Sequence, residues 1–529
     1  MKRTKTRLTC LMLIALLVLS MMPALSAVAE GKTYDEHLTI RWYQEKRDLP
    51  EGGDRVLKAI QDKFNVTFEF VEPPSDGSAQ KLNMMVSSGD PLDWILAFDV
   101  DKVAYQWAMD DFIYSYEELI GDSDQYPLIQ KLLAGTVYDN LKVNGKSYFK
   151  PQPLWAGNRG YVINQDWLDK LGLQVPTTLD EYYTVLKAFK EQDPDGNGED
   201  DTFGFYVSEP NGTNSFGYIA RSFMNCGAWG DDWVELSDGT ITQFGVTEEA
   251  KEAFRFIAKC YEEDLFNRSF VNEIDAYGKV EDLFVQQKIG LTDISQPNTL
   301  IGKIAEAGAD INVTYLPPLN VNGEQGFLPH SGGYWSFHLI PRTSQDPTRI
   351  LDIMEWALTE EGRLMTMFGI EGTHWTGSEM IGTNRVFNIV KEEMDADWNT
   401  SDYGYIHPLS WGGFNYCENA FIPFEEYETF DEAYANMVVW TDFDPTGSIN
   451  ETWRVDNSKY AKMLPLSGVI DESVKVEQTL KDIQFAGRTK AVIEGSENFD
   501  KNWDEWVATW MAEGGADLIA RGNDYYKAH

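Results

Sequence analysis

The chain has 529 residues, 43% of them hydrophobic, and carries 44 Lys plus Arg against 85 Asp plus Glu, a formal charge of −41 at pH 7. A surface this acidic excludes nucleic acid as a natural partner, since phosphate contacts need a basic face, and it disfavours a highly anionic ligand unless a local basic pocket overrides the global field. At this length and apolar content more than one core can form, so at least two domains are expected.

Lys2, Arg3, Lys5 and Arg7 precede the apolar run Leu11 to Leu19, followed by Pro23 and the small-residue tripeptide Ala27-Val28-Ala29. The pattern predicts a secretory signal peptide over 1–29, cleaved after Ala29; its apolar run is shorter than the ~18 to 20 residues a spanning helix needs. The expected location is therefore outside the cell, at the extracellular face of the membrane or in the periplasm. Cys10 leaves with the signal, and Cys226, Cys260 and Cys417 are widely spaced and odd in number, which argues against a disulfide framework. No cysteine stands near the cleavage site to carry a lipid anchor.

Beyond the signal, Leu38, Ile40 and Trp42 alternate as in a strand, Val56, Leu57, Ile60 and Phe64 recur at helical spacing, and Val66, Phe68 and Phe70 alternate again. A second helix is expected over Ala79 to Ser88, stopping at Gly89-Asp90-Pro91, with a strand from Trp94 to Phe98. This β-α-β-α-β order builds a parallel or mixed sheet covered by helices, with ligands outside the carboxyl ends of its strands. Tyr43 to Glu45 and Phe98 to Asp99 should therefore face a cleft.

The run Asp193-Pro194-Asp195-Gly196-Asn197-Gly198-Glu199-Asp200-Asp201 places oxygen-bearing side chains at relative positions 1, 3, 5 and 9, a glycine at 6 and the Glu199 carbonyl at 7. That spacing curls hard oxygen donors around one point, as calcium requires. Position 12 is Gly204, where an EF-hand has a bidentate glutamate, and Phe203 to Val207 reads as a strand, so the motif is an EF-hand-like loop without the exiting helix. Near the carboxyl terminus Trp503, Trp506, Val507 and Trp510 mark a packed helix face, as do Trp167 and Phe189 earlier.

Several segments together carry a family resemblance. Ser87-Ser88-Gly89-Asp90-Pro91-Leu92-Asp93 resembles the S-G-D-x-P-D element of the extracellular solute-binding proteins, family 1. Val162 to Leu168 resembles their crossing strand and helix, and Leu171-Gly172-Leu173-Gln174-Val175-Pro176-Thr177-Thr178-Leu179-Asp180-Glu181-Tyr182 their LGL-x-VPTTLDEY signature. Phe368 to Gly372 and the ending from Asn498 to Tyr525 are similar to the large oligosaccharide-binding members, the alginate-binding and LplA types among them.

The resemblance implies an α/β, two-lobed periplasmic-binding-protein-like (type II) fold with several hinge crossings. Its expected division is lobe 1 over 30–162 and 293–372 and lobe 2 over 163–292 and 373–529. It implies a monomer that closes over an oligosaccharide and delivers it to ABC transporter permease subunits. It also implies Asp193, Asp195, Asn197, Glu199 and Asp201 as ligands of a structural calcium ion, with Thr202 where relatives can place a further carboxylate.

Sugar recognition needs flat apolar faces and planar polar groups, and the chain has 17 Trp and 25 Tyr. The expected ligand-binding residues are those in loops or at strand ends: Trp42, Tyr43, Glu45, Phe98, Asp99, Trp155, Arg159, Asp293, Tyr334, Trp335, Trp375, Trp411 and Tyr416. No G-x-S-x-G elbow, H-E-x-x-H, P-loop or paired C-x-x-C occurs, and the six histidines show no metal-ligand spacing. The competing expectation is a secreted glycoside hydrolase or polysaccharide lyase, since a carboxyl pair separated by ~5 to 9.5 Å cannot be read from sequence. A purely structural surface protein, with no cleft, is a third.

Overall fold

Asp54 starts the first helix by accepting from Val56 and Leu57 N–H, and left-handed Asn65 ends it after Phe64. Its buried residues Val56, Ile60 and Phe64 recur every fourth position, so one stripe faces the core. The helix, Arg55–Phe64, joins strands β1 (Leu38–Tyr43) and β2 (Val66–Val71); the helix Ser78–Ser88 then leads to β3 (Trp94–Ala97). The expected β-α-β-α-β unit is present. A computed structural model describes residues 32–44, 54–73, 78–97, 101–153, 160–207, 219, 222, 233–272, 279–294, 300, 303–304, 307–330, 334–381, 384–398, 420–436, 438–441, 461–463, 466 and 472–528. The signal segment lies outside them.

The first sheet has the order β2, β1, β3, Tyr334–Leu339, β4, where β4 is Lys150–Pro153. β1 runs parallel to β2 and β3, and Tyr334–Leu339 runs antiparallel between β3 and β4. Inside this sheet Gln152 lies between Ser336 Oγ, at 2.6 Å, and His338, at 3.1 Å, while Trp94 Nε1 donates to His338 Nδ1 at 3.0 Å. All four residues are buried, and their bonds lock β3, β4 and Tyr334–Leu339 side by side.

The chain leaves β4 for a second sheet, in which β5 (Gly160–Asn164) lies between antiparallel Leu291–Ile294 and Val313–Leu316. β5 alternates between two hydrophobic clusters, Val162 in one and Tyr161 and Ile163 in the other. The helix Leu179–Glu191, opened by a Thr178/Glu181 capping box, packs Tyr182, Val185, Leu186 and Phe189 into the second cluster. The terminal helices Gln478–Ile493 and Gly495–Trp510 join it there, with Trp503, Trp506 and Trp510 buried as the periodicity predicts. Cys260 is buried and free.

Near the expected boundary at 293, sheets and clusters divide the chain differently: Leu291–Ile294 and Val313–Leu316 flank β5, while Leu300, Ile304, Ile311 and Tyr315 lie in the first cluster. The expected boundary at 373 differs from the structure, since Trp375, Phe387, Met394, Trp398 and Phe430 lie in the first cluster and not with the second lobe. They are tied to its helices by Arg55 Nε to Asp397, at 2.7 Å, and by Lys131 Nζ to the carbonyls of Phe424 and Tyr427. Among the described residues the second cluster resumes with Leu466 packed against it and Val474 buried in it.

Candidate functional site

Register gathers one edge of the first sheet. Tyr43 pairs with Ile95, Ala97 with Phe337 and Tyr334 with Pro153, so the carboxyl ends of β1, β3 and β4 and the start of Tyr334–Leu339 lie together. The first crossing to β5 departs from this edge. Between Tyr334 and Phe337 the register shifts by a β-bulge, a device that re-aims side chains at sheet edges.

Tyr43 is buried at this edge, and burial raises its hydroxyl pKa above the ordinary value. Next to it Gln44 is 2% exposed, and its side-chain carbonyl oxygen is buried with no hydrogen-bond partner among the described residues. An orphaned acceptor of this kind costs about 1–3 kcal/mol. Gln44 fell within the predicted Tyr43-to-Glu45 segment but carried no aromatic or charged signal. Tyr334 is half-buried, its ring 4.6 Å from Phe337. Trp335 lies in the same strand, and Asp293 pairs with Tyr161 one residue from the end of its strand, where β5 enters the second sheet.

Two expected ligand residues belong to the core instead. Trp42 is fully buried and stacks on Trp94 with ring centroids 3.9 Å apart and planes at 2°. Trp375 is 4% exposed, sits edge-on to Phe387 and donates its indole N–H to the Gly369 carbonyl at 3.1 Å. Neither presents a face to a sugar. Glu45, Phe98, Asp99, Trp155, Arg159, Trp411 and Tyr416 lie outside the described residues.

The acidic loop is folded around its own first aspartate. Asp193 accepts from the N–H groups of Gly196, Asn197 and Gly198 at 2.9, 3.1 and 3.1 Å. The glycines at 196 and 198 adopt φ of 77° and 83°, which their lack of Cβ permits. Asn197 Nδ2 lies 2.8 Å from Asp195 Oδ2 and 3.1 Å from Asp201 Oδ1, and Lys288 Nζ bonds Asp201 Oδ2 and lies 3.6 Å from Asp195 Oδ2. The Lys288 ammonium, with help from Asn197, holds the Asp201 carboxyl below its ordinary pKa. Thr202 is buried and spends its hydroxyl on the Phe189 carbonyl at 2.7 Å, so it turns away from this point. Among the described residues no group of three or more His, Cys, Asp or Glu converges as a ready-made metal cage. The donor set is nonetheless all oxygen apart from the Asn197 amide nitrogen, and an ammonium already stands against two of its carboxylates, which fits a hard cation.

The two sheets, each with its own helices, and the chain crossings between them define the two-lobed α/β solute-binding class of fold. The chain matches the family of bacterial extracellular solute-binding proteins over residues 49–364 and belongs to it. It is 26% identical to the polygalacturonan/rhamnogalacturonan-binding protein YtcQ of Bacillus subtilis, covering 94% of this chain and 93% of that protein. It is 25% identical to the fructooligosaccharide ABC transporter substrate-binding protein FusA of Streptococcus pneumoniae, over 89% and 86%. Among solved structures, an EF-hand mutant of FusA with fructo-nystose superposes with a TM-score of 0.68 at 20% identity, covering 93% of this chain and 99% of that one. The alginate-binding protein AlgQ2 without calcium ion superposes with a TM-score of 0.64 at 19% identity, over 94% and 99%.

Proposed function

We propose that this protein is the extracellular oligosaccharide-binding component of an ABC transporter, secreted, monomeric and without turnover of its ligand. The observation that carries the reading is the orphaned Gln44 carbonyl just past the carboxyl end of β1, in a chain of the solute-binding family. Relatives that bind polygalacturonan, rhamnogalacturonan or fructooligosaccharide favour an oligosaccharide over other solutes. Tyr43, Gln44, Glu45, Phe98, Asp99 and Tyr334 would contribute from the first lobe and Asp293 from the second. Trp155 and Arg159 on the first crossing, with Trp335, Trp411 and Tyr416, complete the proposed contact set. A ligand touching both lobes selects the closed state of the hinge, and permeases would read that shape.

A melting screen of the mature protein against pectic, fructan and alginate oligosaccharides tests this, since a ligand of the folded state raises the transition by mass action. Release of reducing ends from the oligosaccharide that binds would move the protein to the hydrolases and lyases. Gln44→Leu separates the site from the fold: it removes an unsatisfied buried acceptor, so the ligand-free protein melts at or above the wild-type temperature, while the ligand-induced shift falls. Affinity drops about tenfold, or 1.4 kcal/mol. An unchanged ligand response places the sugar elsewhere.

The loop 193–201 would hold a structural calcium ion through Asp193, Asp195, Asn197, Asp201 and the Glu199 carbonyl. Calcium supplies charge neutralisation there, and the chain supplies the turn, fixed by Asp193 and the two glycines. Chelation is expected to lower the melting temperature, and Asp195→Ala to abolish the calcium response. Calorimetry with calcium alone checks it: no heat and no change in melting would reduce the loop to a turn.

A further inference from the structure

Three lysines from outside the acidic loop reach into it. Lys170 Nζ donates to the carbonyls of Asp193 and Pro194 at 3.1 and 2.8 Å, and Lys190 pairs with Asp200 at 2.9 Å. Lys288 alone of the three touches carboxylates of the proposed metal ligands, bonding Asp201 Oδ2 and standing 3.6 Å from Asp195 Oδ2.

Its position is built, not incidental. Lys288 lies in the turn between the helix Lys279–Val285 and the strand Leu291–Ile294, beside Gln287 at φ 57°. Its carbonyl accepts from Phe203 N at 3.0 Å, and Gly290 N donates to the Phe203 carbonyl at 3.1 Å. The backbone that carries the ammonium is thereby sewn to the residue two places past Asp201. Gly290 also lets this turn approach closely, because a Cβ there would lie 2.2 Å from the Phe189 ring. Asp195 is 9% exposed at its side chain, so its carboxylate has little water to offset its charge and gains most from a fixed cation.

We propose that Lys288 is a tethered counter-ion: its ammonium holds the acidic loop folded when no metal is bound and competes with calcium for Asp195 and Asp201. This rests on the calcium reading of the loop. An ammonium nitrogen sits about 2.7–2.9 Å from a carboxylate oxygen and a calcium ion about 2.3–2.6 Å, so both cannot take the same lone pairs, and their like charges oppose joint occupancy. The four-carbon stem of lysine lets the head swing into solvent when the metal arrives. Lys288 is one-third exposed, so that route is open. Calcium binding would thus exchange one cation for another, leaving the loop folded in either state and lowering the apparent metal affinity.

The mature protein, its Lys288→Gln and Lys288→Arg variants and the Lys190→Gln control are titrated with calcium by calorimetry and melted in chelator and in calcium. The expected result is that Lys288→Gln melts lower than wild type in chelator, binds calcium about tenfold more tightly and gains more on calcium addition. Lys288→Arg stays near wild type. Lys190→Gln, which removes the same charge from Asp200 without touching Asp195 or Asp201, changes affinity less than threefold. An equal gain in the two glutamine variants would overturn contact competition in favour of a general field. Equal, finite affinities for wild type and Lys288→Gln would overturn the role of Lys288 alone, and absence of calcium binding in both would overturn the competition together with the calcium reading.

Discussion

Replacing Asp397 by Ala lowers the stability of the folded chain by about 3 kcal/mol, the scale for removing one partner of a buried charged network. Asp397 is 3% exposed and accepts from His374 Nε2 at 2.6 Å and Arg55 Nε at 2.7 Å. His374 is fully buried, and its Nδ1 accepts the Ile370 N–H at 2.8 Å, so its ring proton is held on Nε2 and needs the Asp397 acceptor. Arg55 is partly exposed and also pairs with Glu393 at 2.9 Å, which softens the loss on that side and sets the estimate at the lower end of the range. Asp397→Asn keeps an acceptor and is expected to cost nearer 1 kcal/mol. Denaturant unfolding followed by hydrogen exchange checks both: exchange should rise over 374–398 and stay unchanged in the helices Gln478–Ile493 and Gly495–Trp510. A cost below 0.5 kcal/mol for the Ala variant would mean that the contact spanning residues 55 and 397 does not hold the segment.

That contact also shows where the sequence stops being legible. Helix and strand positions near the amino terminus follow from local period, and the first helix even carries its cap in Asp54. The lobe boundaries do not, because they depend on which strand pairs with β5 and on partners more than 300 residues away, and no local pattern encodes either. The site was read with a rule about strand ends that is one residue too coarse. Trp42 and Tyr43 are neighbours whose side chains period two sends to opposite faces, and both are buried in the first cluster, Trp42 in a stack on Trp94 that leaves it no free ring face. Trp375, expected to touch the ligand, follows the turn after Phe368, which folds back so that the Gly369 carbonyl accepts its indole N–H. The acidic loop was legible because its chemistry is contiguous, whereas Lys288 comes from 87 residues beyond Asp201.

The largest stability gain is expected from the double variant Lys150→Met/Glu355→Gln, by about 1–4 kcal/mol, the scale for replacing buried ionisable groups with neutral side chains. Lys150 is fully buried on β4, and its ammonium nitrogen has no hydrogen-bond partner among the described residues. Burial pulls its pKa down to about 7, opposed by the charge of Glu355. Glu355 is pushed up to about 7 by burial, although its oxygens accept from Leu128 and Ile129 N–H at 2.8 and 2.9 Å. Glu425 adds a like charge to Glu355 but is itself engaged by Arg363 at 3.1 Å. The two shifts act on opposite sides of neutrality. The depressed lysine lowers stability as pH falls from about 10, its unfolded value, to about 7, and its penalty stays full below that. The raised glutamate lowers stability as pH rises from about 4 to about 7, and its penalty stays full above. Removing both groups therefore helps most near pH 7 and less towards pH 4 or pH 10, trimmed by whatever the single Gln oxygen fails to return to the two N–H groups. Glu355→Gln alone should gain less than the double variant, because it removes the carboxylate whose charge opposes the lysine's shift and leaves the buried amine in place. Melting of wild type, both single variants and the double variant at pH 5, 7 and 9 checks the whole pattern. A double variant less stable than wild type at pH 7, or a gain that rises steadily across that range, would show that the two groups stabilise the first lobe instead of burdening it.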